Sequence, residues 1–367
     1  MPRLVQLSPG AAPHDATLSL MLGLAQRLRR PGGFATCDLI ARFVPDLPRI
    51  KQPGIRGSTV HRLESTDLRK YSAEDVLVYH HGIASDAEAH LRLFPGRKFL
   101  VHHGITPPRF FVPYNLTIAG RLERGRRELQ RFTPLFERAY CFSGITEAEL
   151  REAGYLNVRK VDPPLPAAAL QQRRLEDPQG DPVILSVGRM VPNKNHEPLI
   201  RMLHYLRGLH ANARLILTGS LRNGLDDYTR HLQDMCRALR LQDAVEFSGL
   251  VDTKRMEELW QQSTHYVCSS LHEGYCLPLI EGMLRDRPVI YLNSSESAAR
   301  ETTDGAGIGL YPLEPQLLAE LISEIHTNDT LRTSIIEGQR KRLEKLRCDG
   351  LAEDLIDQLA PMGGLDD

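Results

Sequence analysis

The chain has 367 residues, 41% hydrophobic and 25% charged, with Lys+Arg and Asp+Glu balanced at 46 each. That length exceeds one ordinary core and points to two domains, and the composition excludes a largely disordered chain. A neutral balance leaves no overall field drawing the protein to nucleic acid or an anionic membrane, so any phosphate recognition has to be local.

The N-terminal Met1 to Leu7 reads as a short strand that turns at Ser8-Pro9-Gly10, not as the apolar core of a signal peptide. Further strands are expected at Thr36–Phe43, Asp75–Tyr79, Lys98–His102, Tyr140–Phe142 and Val158–Val161. Helices are expected at Thr17–Arg30, Asp86–Leu93, Leu116–Arg131 and Thr146–Ala153. Asp162-Pro163-Pro164-Leu165-Pro166 then opens a Pro-rich and later polar stretch ending near Asp181-Pro182, the composition of a semi-rigid connector.

Beyond the connector, strands are expected at Val183–Val187, Arg214–Thr218, Val245–Ser248, His265–Ser269, Pro288–Leu292 and Ile308–Tyr311. Helical spacing lies between them, with Leu199, Met202, Leu206 and Leu209 on one face and Leu317, Leu321 and Ile325 on another. Such alternation builds βαβ units. The expected fold is α/β, with two Rossmann-like doubly wound parallel-sheet domains facing a central cleft. Residues 1–165 and 166–345 form the two domains, and 346–367 a C-terminal helix crossing back to the first. No stretch approaches ~18 uninterrupted apolar residues, so a cytoplasmic protein is expected. Six cysteines without a C-x-x-C pair read as buried free thiols.

The strongest motif is His272-Glu273-Gly274-Tyr275-Cys276-Leu277-Pro278-Leu279-Ile280-Glu281, which follows a strand and opens a helix. Pro278 suits a first helical turn. The amides around Gly274–Leu277 and the positive helix end make an anion site. Gly274 lets the backbone approach a ligand closely. Glu273 and Glu281 are placed to accept hydrogen bonds from sugar and ribose hydroxyls on either side of a diphosphate, although each alone reads better as a solvated loop acid or an ordinary helix acid, and it is the whole string that favours function. A second motif runs from Val183 to Gly188-Arg189, then Pro192-Asn193-Lys194-Asn195, and sets two cations after the first strand of the same domain. Arg offers a planar fork and Lys a point charge, both suited to a diphosphate.

The string resembles glycosyltransferase family 4, retaining enzymes of the two-Rossmann-domain GT-B type, of the bacterial surface-polysaccharide kind. Ser186-Val187-Gly188-Arg189 with Lys194, Leu217-Thr218-Gly219, Phe247-Ser248-Gly249 and the Glu273–Glu281 string carry the resemblance over about Val183–Tyr311. Val101-His102-His103-Gly104-Ile105-Thr106-Pro107-Pro108 adds to it in the first half. The resemblance implies a first domain that faces the acceptor and a second that binds a nucleotide sugar. It implies that Arg189 and Lys194 hold the donor diphosphate, Glu281 the ribose and Glu273 the transferred sugar, with the base near Gly249, Leu250 and Val251. His103 would face the donor phosphate and the reacting sugar, while Gly10 and His81 would lie on the acceptor side. The loop Ser8-Pro9-Gly10-Ala11-Ala12-Pro13 departs from the Gly-Gly pair usual in the family.

The expected reaction moves a mannose-like or glucose-like hexose from a nucleotide-diphosphate sugar to a glycan or lipid-linked glycan. It would proceed with retention, in polysaccharide or lipopolysaccharide synthesis, and a GDP-sugar is slightly favoured over a UDP-sugar. No Asp-x-Asp pair occurs, so no metal clamp is indicated and no cofactor is expected. Arg121, Arg124, Arg126, Arg127 and Arg131 form a basic stretch able to approach a lipid diphosphate or the anionic inner leaflet. The alternatives left open are a nucleotide-sugar epimerase or other GT-B enzyme without a glycan acceptor, and a non-catalytic sugar-binding subunit. The glycine run Gly305-Ala306-Gly307-Ile308-Gly309 precedes a strand and so lacks the context of a dinucleotide fingerprint.

Overall fold

The computed structural model describes residues 2–11, 16–28, 34, 36–43, 60–165, 170, 175, 180–221 and 224–358. Most of the connector (166–169, 171–174, 176–179), positions 12–13 of the first loop, 29–30 of the expected first helix and 359–367 of the expected C-terminal helix lie outside the described residues. Two compact units divide the chain. The first takes Met1–Ile105, Arg121–Gln171 and Leu346–Asp367, and the second takes Thr106–Gly120 and Gln172–Lys345.

The first unit holds a seven-stranded parallel sheet: β1 (Leu4–Gly10), β2 (Cys37–Phe43), β3 (Val60–Arg62), β4 (Val76–His81), β5 (Arg97–His102), β6 (Arg138–Cys141) and β7 (Val158–Lys160). Its order is β3-β2-β1-β4-β5-β6-β7, so successive strands run outward in opposite directions from the β1/β4 pair. All six residues of β4 are buried, as expected of a strand with both faces covered. Helices α1 (Ala16–Leu28), α2 (Glu88–Leu93), α3 (Leu116–Arg131) and α4 (Gly144–Glu152) fall in the intervals between strands. The α4 start is fixed by a capping box: Ser143 Oγ accepts from the Thr146 amide, and Thr146 Oγ1 accepts from the Ser143 amide. Sequence reasoning missed β3. It is a three-residue edge strand with His61 and Arg62 exposed, and so it carries no apolar alternation.

The second unit holds a six-stranded parallel sheet: β8 (Val183–Val187), β9 (Arg214–Thr218), β10 (Val245–Gly249), β11 (His265–Cys268), β12 (Val289–Leu292) and β13 (Ile308–Leu310), in the order β10-β9-β8-β11-β12-β13. Here the chain reverses its progress between β8 and β11. The helices are α5 (Glu197–Leu209), α6 (Asp226–Ala238), α7 (Thr253–Gln262), α8 (Leu277–Leu284), α9 (Ala299–Thr303), α10 (Pro315–Thr327) and α11 (Asp329–Glu344). Leu199, Met202 and Leu206 of α5 are fully buried as expected, but Leu209 is exposed. In α10 the expected face holds at Ile325 but is displaced by one residue at Leu317 and Leu321. Leu318, Ile322 and Ile325 are buried, while Leu317 is exposed, because the helix turns its Leu318 side to the core. No helix among the described residues is long and apolar enough to cross a membrane.

A final helix, α12 (Gly350–Asp357), belongs to the first unit. Its Asp354 is 2% exposed and accepts hydrogen bonds from Arg138 (2.7 Å), the Tyr140 hydroxyl (2.6 Å) and Arg159. Three donors from β6 and β7 thus neutralise one buried carboxylate. Removing its charge strands Arg138 and leaves Tyr140 with a weaker acceptor. Asp354→Asn is expected to cost about 3 kcal/mol, read as a lower urea midpoint for the first unit; an unchanged midpoint refutes the role.

Candidate active site

The site is built where the second sheet reverses. In open α/β sheets the crevice beyond the carboxyl ends of the strands at the reversal point is the binding position, here the loops after β8 and β11. Three strand ends beside it terminate in glycine. Gly188 follows β8, Gly219 follows β9 and Gly249 closes β10, and they are linked by Gly188 N–H to Thr218 O (2.8 Å) and Gly219 N–H to Gly249 O (2.9 Å). A Cβ on Gly219 would lie 2.1 Å from the Gly188 carbonyl oxygen, and its φ of +142° suits glycine alone. A Cβ on Gly188 would meet Lys194 Cε at 3.2 Å. The strand ends therefore present bare backbone, and the Lys194 stem lies against Gly188.

The loops after β8 and β11 are zipped together. Ser269 Oγ donates to Lys194 O (2.8 Å), and the Leu271 amide donates to Asn193 O (2.8 Å). The second loop is held from its other side by Ala298 N–H to Glu273 O (3.0 Å), Ser294 Oγ to Leu271 O (2.9 Å) and the Thr302 hydroxyl to the Tyr275 carbonyl. This clamping brings Lys194 Nζ to 2.5 Å from Glu273 Oε1.

Burial works against both charges of that pair, and their mutual attraction prevails. Lys194 is held above its ordinary 10.5 by Glu273 and the neighbouring Cys276 and Cys268. Glu273 is held below its ordinary 4.5 by Lys194, Ser270 and His272. The lowered carboxyl contributes stability above its unfolded pKa, and the raised ammonium contributes below its own. The pair therefore stabilises the fold throughout the interval between those two ordinary values. Glu281, half-buried within α8, shifts upward because burial outweighs the nearby Arg285.

α8 begins at Leu277 after Cys276, a non-glycine residue in the left-handed region (φ 68°, ψ 65°). Among the described residues the amides of Gly274, Cys276 and Leu277 have no hydrogen-bond partner, and Pro278 has no amide proton. The N-terminal end of α8 thus offers unpaired N–H groups near Lys194. Arg189 is exposed and makes no ion pair among the described residues. Leu250, beyond Gly249, is apolar and leaves 61% of its surface exposed.

His103, Gly10 and His81 lie in the first unit. Sequence reasoning missed the chain that governs His103. Gln6 Nε2 donates to the Met21 carbonyl (2.8 Å), so its Oε1 faces His80 Nε2 (2.9 Å), which must carry the proton. His80 Nδ1 is then an acceptor for His103 Nε2–H (3.0 Å), leaving the lone pair of His103 on Nδ1. Burial, then His102, lowers the His103 pKa to about 3, so the ring is neutral. A neutral acceptor nitrogen does not attract phosphate; it suits a hydroxyl. His81 is fully enclosed between Tyr79, Phe132 and His102, and burial keeps it neutral as well. Enclosed in this way, its ring has no exposed surface in this structure. Gly10 ends β1, with Phe43 on its flank. In the basic stretch Arg126 pairs with Glu149, Arg127 with Glu123 and Arg131 with Glu88, which cancels much of that charge. Among the described residues one group of potential metal ligands comes together, Cys268, Glu273 and Cys276.

The fold is that of GT-B glycosyltransferases. Sucrose-phosphate synthase from Thermosynechococcus elongatus matches over 98% of both chains with a TM-score of 0.72 at 17% identity. The Anabaena protein HepE in complex with UDP and glucose matches over 98% of this chain and 99% of that one, also at 0.72, with 14% identity. Residues 169–342 match the family model "Glycosyl transferases group 1". By sequence, an uncharacterized glycosyltransferase from Methanocaldococcus jannaschii is 26% identical over 47% of this chain and 43% of its own length. A GDP-Man:Man(3)GlcNAc(2)-PP-Dol alpha-1,2-mannosyltransferase from Dictyostelium discoideum is 24% identical over 43% of this chain and 32% of its own. The chain thus spans less than half the length of each of these two sequence relatives.

The glycine floor has a measurable consequence. Gly219→Ala drives a Cβ into backbone and is expected to cost about 3 kcal/mol. Gly188→Ala meets only a flexible lysine stem and should cost less than about 1 kcal/mol. Thermal denaturation of the two variants tests this ranking, and equal losses contradict it.

Proposed function

We propose that the protein is a retaining, metal-independent glycosyltransferase that moves a hexose from a nucleotide-diphosphate sugar to a hydroxyl of a glycan or lipid-linked glycan, in polysaccharide or lipopolysaccharide synthesis. The observation that carries this reading is the Lys194–Glu273 pair at the sheet reversal, beside the unpaired amides that open α8. Departure of a nucleoside diphosphate builds negative charge on phosphate oxygens, and preorganised positive charge is the most effective help. Lys194, kept charged by Glu273, Arg189 and the α8 amides supply it.

In this reading Glu273 has a second duty, accepting a hydroxyl of the transferred sugar. Glu281 accepts from the ribose, and the apolar Leu250 beside Gly249 and Val251 flanks the base. His103, presenting a lone pair, accepts from a sugar hydroxyl. Support comes from the match to the group 1 family model and from the UDP and glucose named for HepE. GDP-sugars keep a slight preference as donor, and GDP-mannose stands in the name of the Dictyostelium relative.

Two substitutions separate chemistry from stability. Arg189→Ala is expected to lower transfer ~10²–10³-fold while moving stability by less than about 0.5 kcal/mol. Lys194→Ala is expected to lose transfer to the same degree and also about 3 kcal/mol of stability at neutral pH, because Glu273 is left buried and unpaired. That stability gap should narrow as acid protonates Glu273. The measurements are radiolabelled sugar transfer and thermal shift with GDP, UDP and their sugars. Full transfer by Arg189→Ala would sink the proposal.

A further inference from the structure

Cys268 ends β11 and Cys276 precedes α8, and their sulfurs lie 3.5 Å apart. All six cysteines are free and buried, and among the described residues no other two thiols make such a contact. Around this pair stand Lys194, whose Nζ is bound to Glu273, and the positive end of α8. Both favour an anionic sulfur and oppose a bound cation, while the Glu273 carboxylate, which accepts from the Cys268 thiol at 4.0 Å, opposes ionisation, so what singles out the pair is the contact between its two sulfurs. Sharing of the Cys276 hydrogen bond, against the cost of burial, lowers the Cys268 thiol below its ordinary value.

We propose that Cys268 and Cys276 form a reversible disulfide that switches off nucleotide binding at this site, an inference that rests on the donor-site reading above. The oxidant is a peroxide. As whole residues Cys268 and Cys276 are only 4% and 6% exposed, which shuts out a protein dithiol and leaves a small reagent as the oxidant. Cys268 thiolate attacks one peroxide oxygen and the O–O bond breaks. This leaves a Cys268 sulfenic acid, and the departing oxygen takes a proton to leave as water. Cys276 sulfur then attacks the Cys268 sulfur and the S–O bond breaks. The released hydroxide takes the Cys276 proton and leaves as a second water. Two thiols are oxidised and one peroxide is reduced.

A disulfide needs the sulfurs at about 2.05 Å, so the 3.5 Å contact must close. Closure pulls on Cys276, the left-handed residue that aims the α8 amides, and on the loop that holds Glu273 against Lys194. Both cysteines lie between Arg255 and Arg285 with no Lys or Arg between them, so trypsin releases them on one peptide.

The reduced chain is titrated with hydrogen peroxide, its remaining thiols are alkylated, and that peptide is weighed, while GDP and UDP affinities are measured on the same samples by calorimetry. The expected result is a peptide two hydrogens lighter and unalkylated, with nucleotide affinity about tenfold weaker and restored by dithiothreitol. Cys268→Ser should make nucleotide affinity insensitive to peroxide. The inference is overturned if the peptide stays dithiol while other cysteines oxidise, if the disulfide forms without changing affinity, or if stoichiometric zinc occupies the pair and protects it. A reduced chain that binds neither nucleotide would defeat the donor reading instead, and the peptide mass would still decide the disulfide.

Discussion

The ion pair between Lys194 and Glu273 is the interaction on which the second unit's site depends. A buried lysine or a buried glutamate alone would be driven to its neutral form, and the site would lose its charge. Paired, each keeps the other ionised, and the pair costs little because the surrounding loops are already fixed by hydrogen bonds from the Ser269 hydroxyl and the Leu271 and Ala298 amides. The charge is therefore in place before any ligand arrives, which is what electrostatic preorganisation requires. Gly188 completes the arrangement by leaving room for the lysine stem, and Gly219 by letting its backbone pass close to that of Gly188.

The first unit solves a different problem with the same logic. Four histidines end its central strands in a mostly buried setting, where imidazolium would be expensive. Hydrogen bonds passed from Met21 through Gln6 and His80 assign the protons of His80 and His103 without a charge on either ring. His103 consequently offers one defined acceptor, and the neighbouring His102 is anchored separately on Glu149 at 2.7 Å.

Much of this was legible in the residues. Strand positions in the second half were read within about a residue because buried parallel strands are short, apolar and bounded by turn formers. The motif from His272 to Glu281 announced a helix start through Pro278. Other features left no trace in periodicity. β3 is too polar to stand out, and the α10 face was read one residue early because leucines at 317 and 318 both fit the spacing. The approach of Cys268 to Cys276 depends on a loop conformation rather than on a helical or strand repeat. The Gln6–His80–His103 chain joins residues 74 and 23 positions apart, and only the sheet order brings them together.

The return of the chain to its first unit bears on how the protein is made. Arg138, Tyr140 and Arg159 wait for Asp354, which follows them by 216, 214 and 195 positions. At ribosomal speeds of roughly 5–20 residues per second, that is a delay of roughly 10–40 s. During it, two arginines and a tyrosine of the half-made sheet lack their shared carboxylate, while the whole span from Gln172 to Lys345 is still being extruded. The nascent second unit has time to fold before the first is closed, so the earlier-born half of the molecule is the later one to mature.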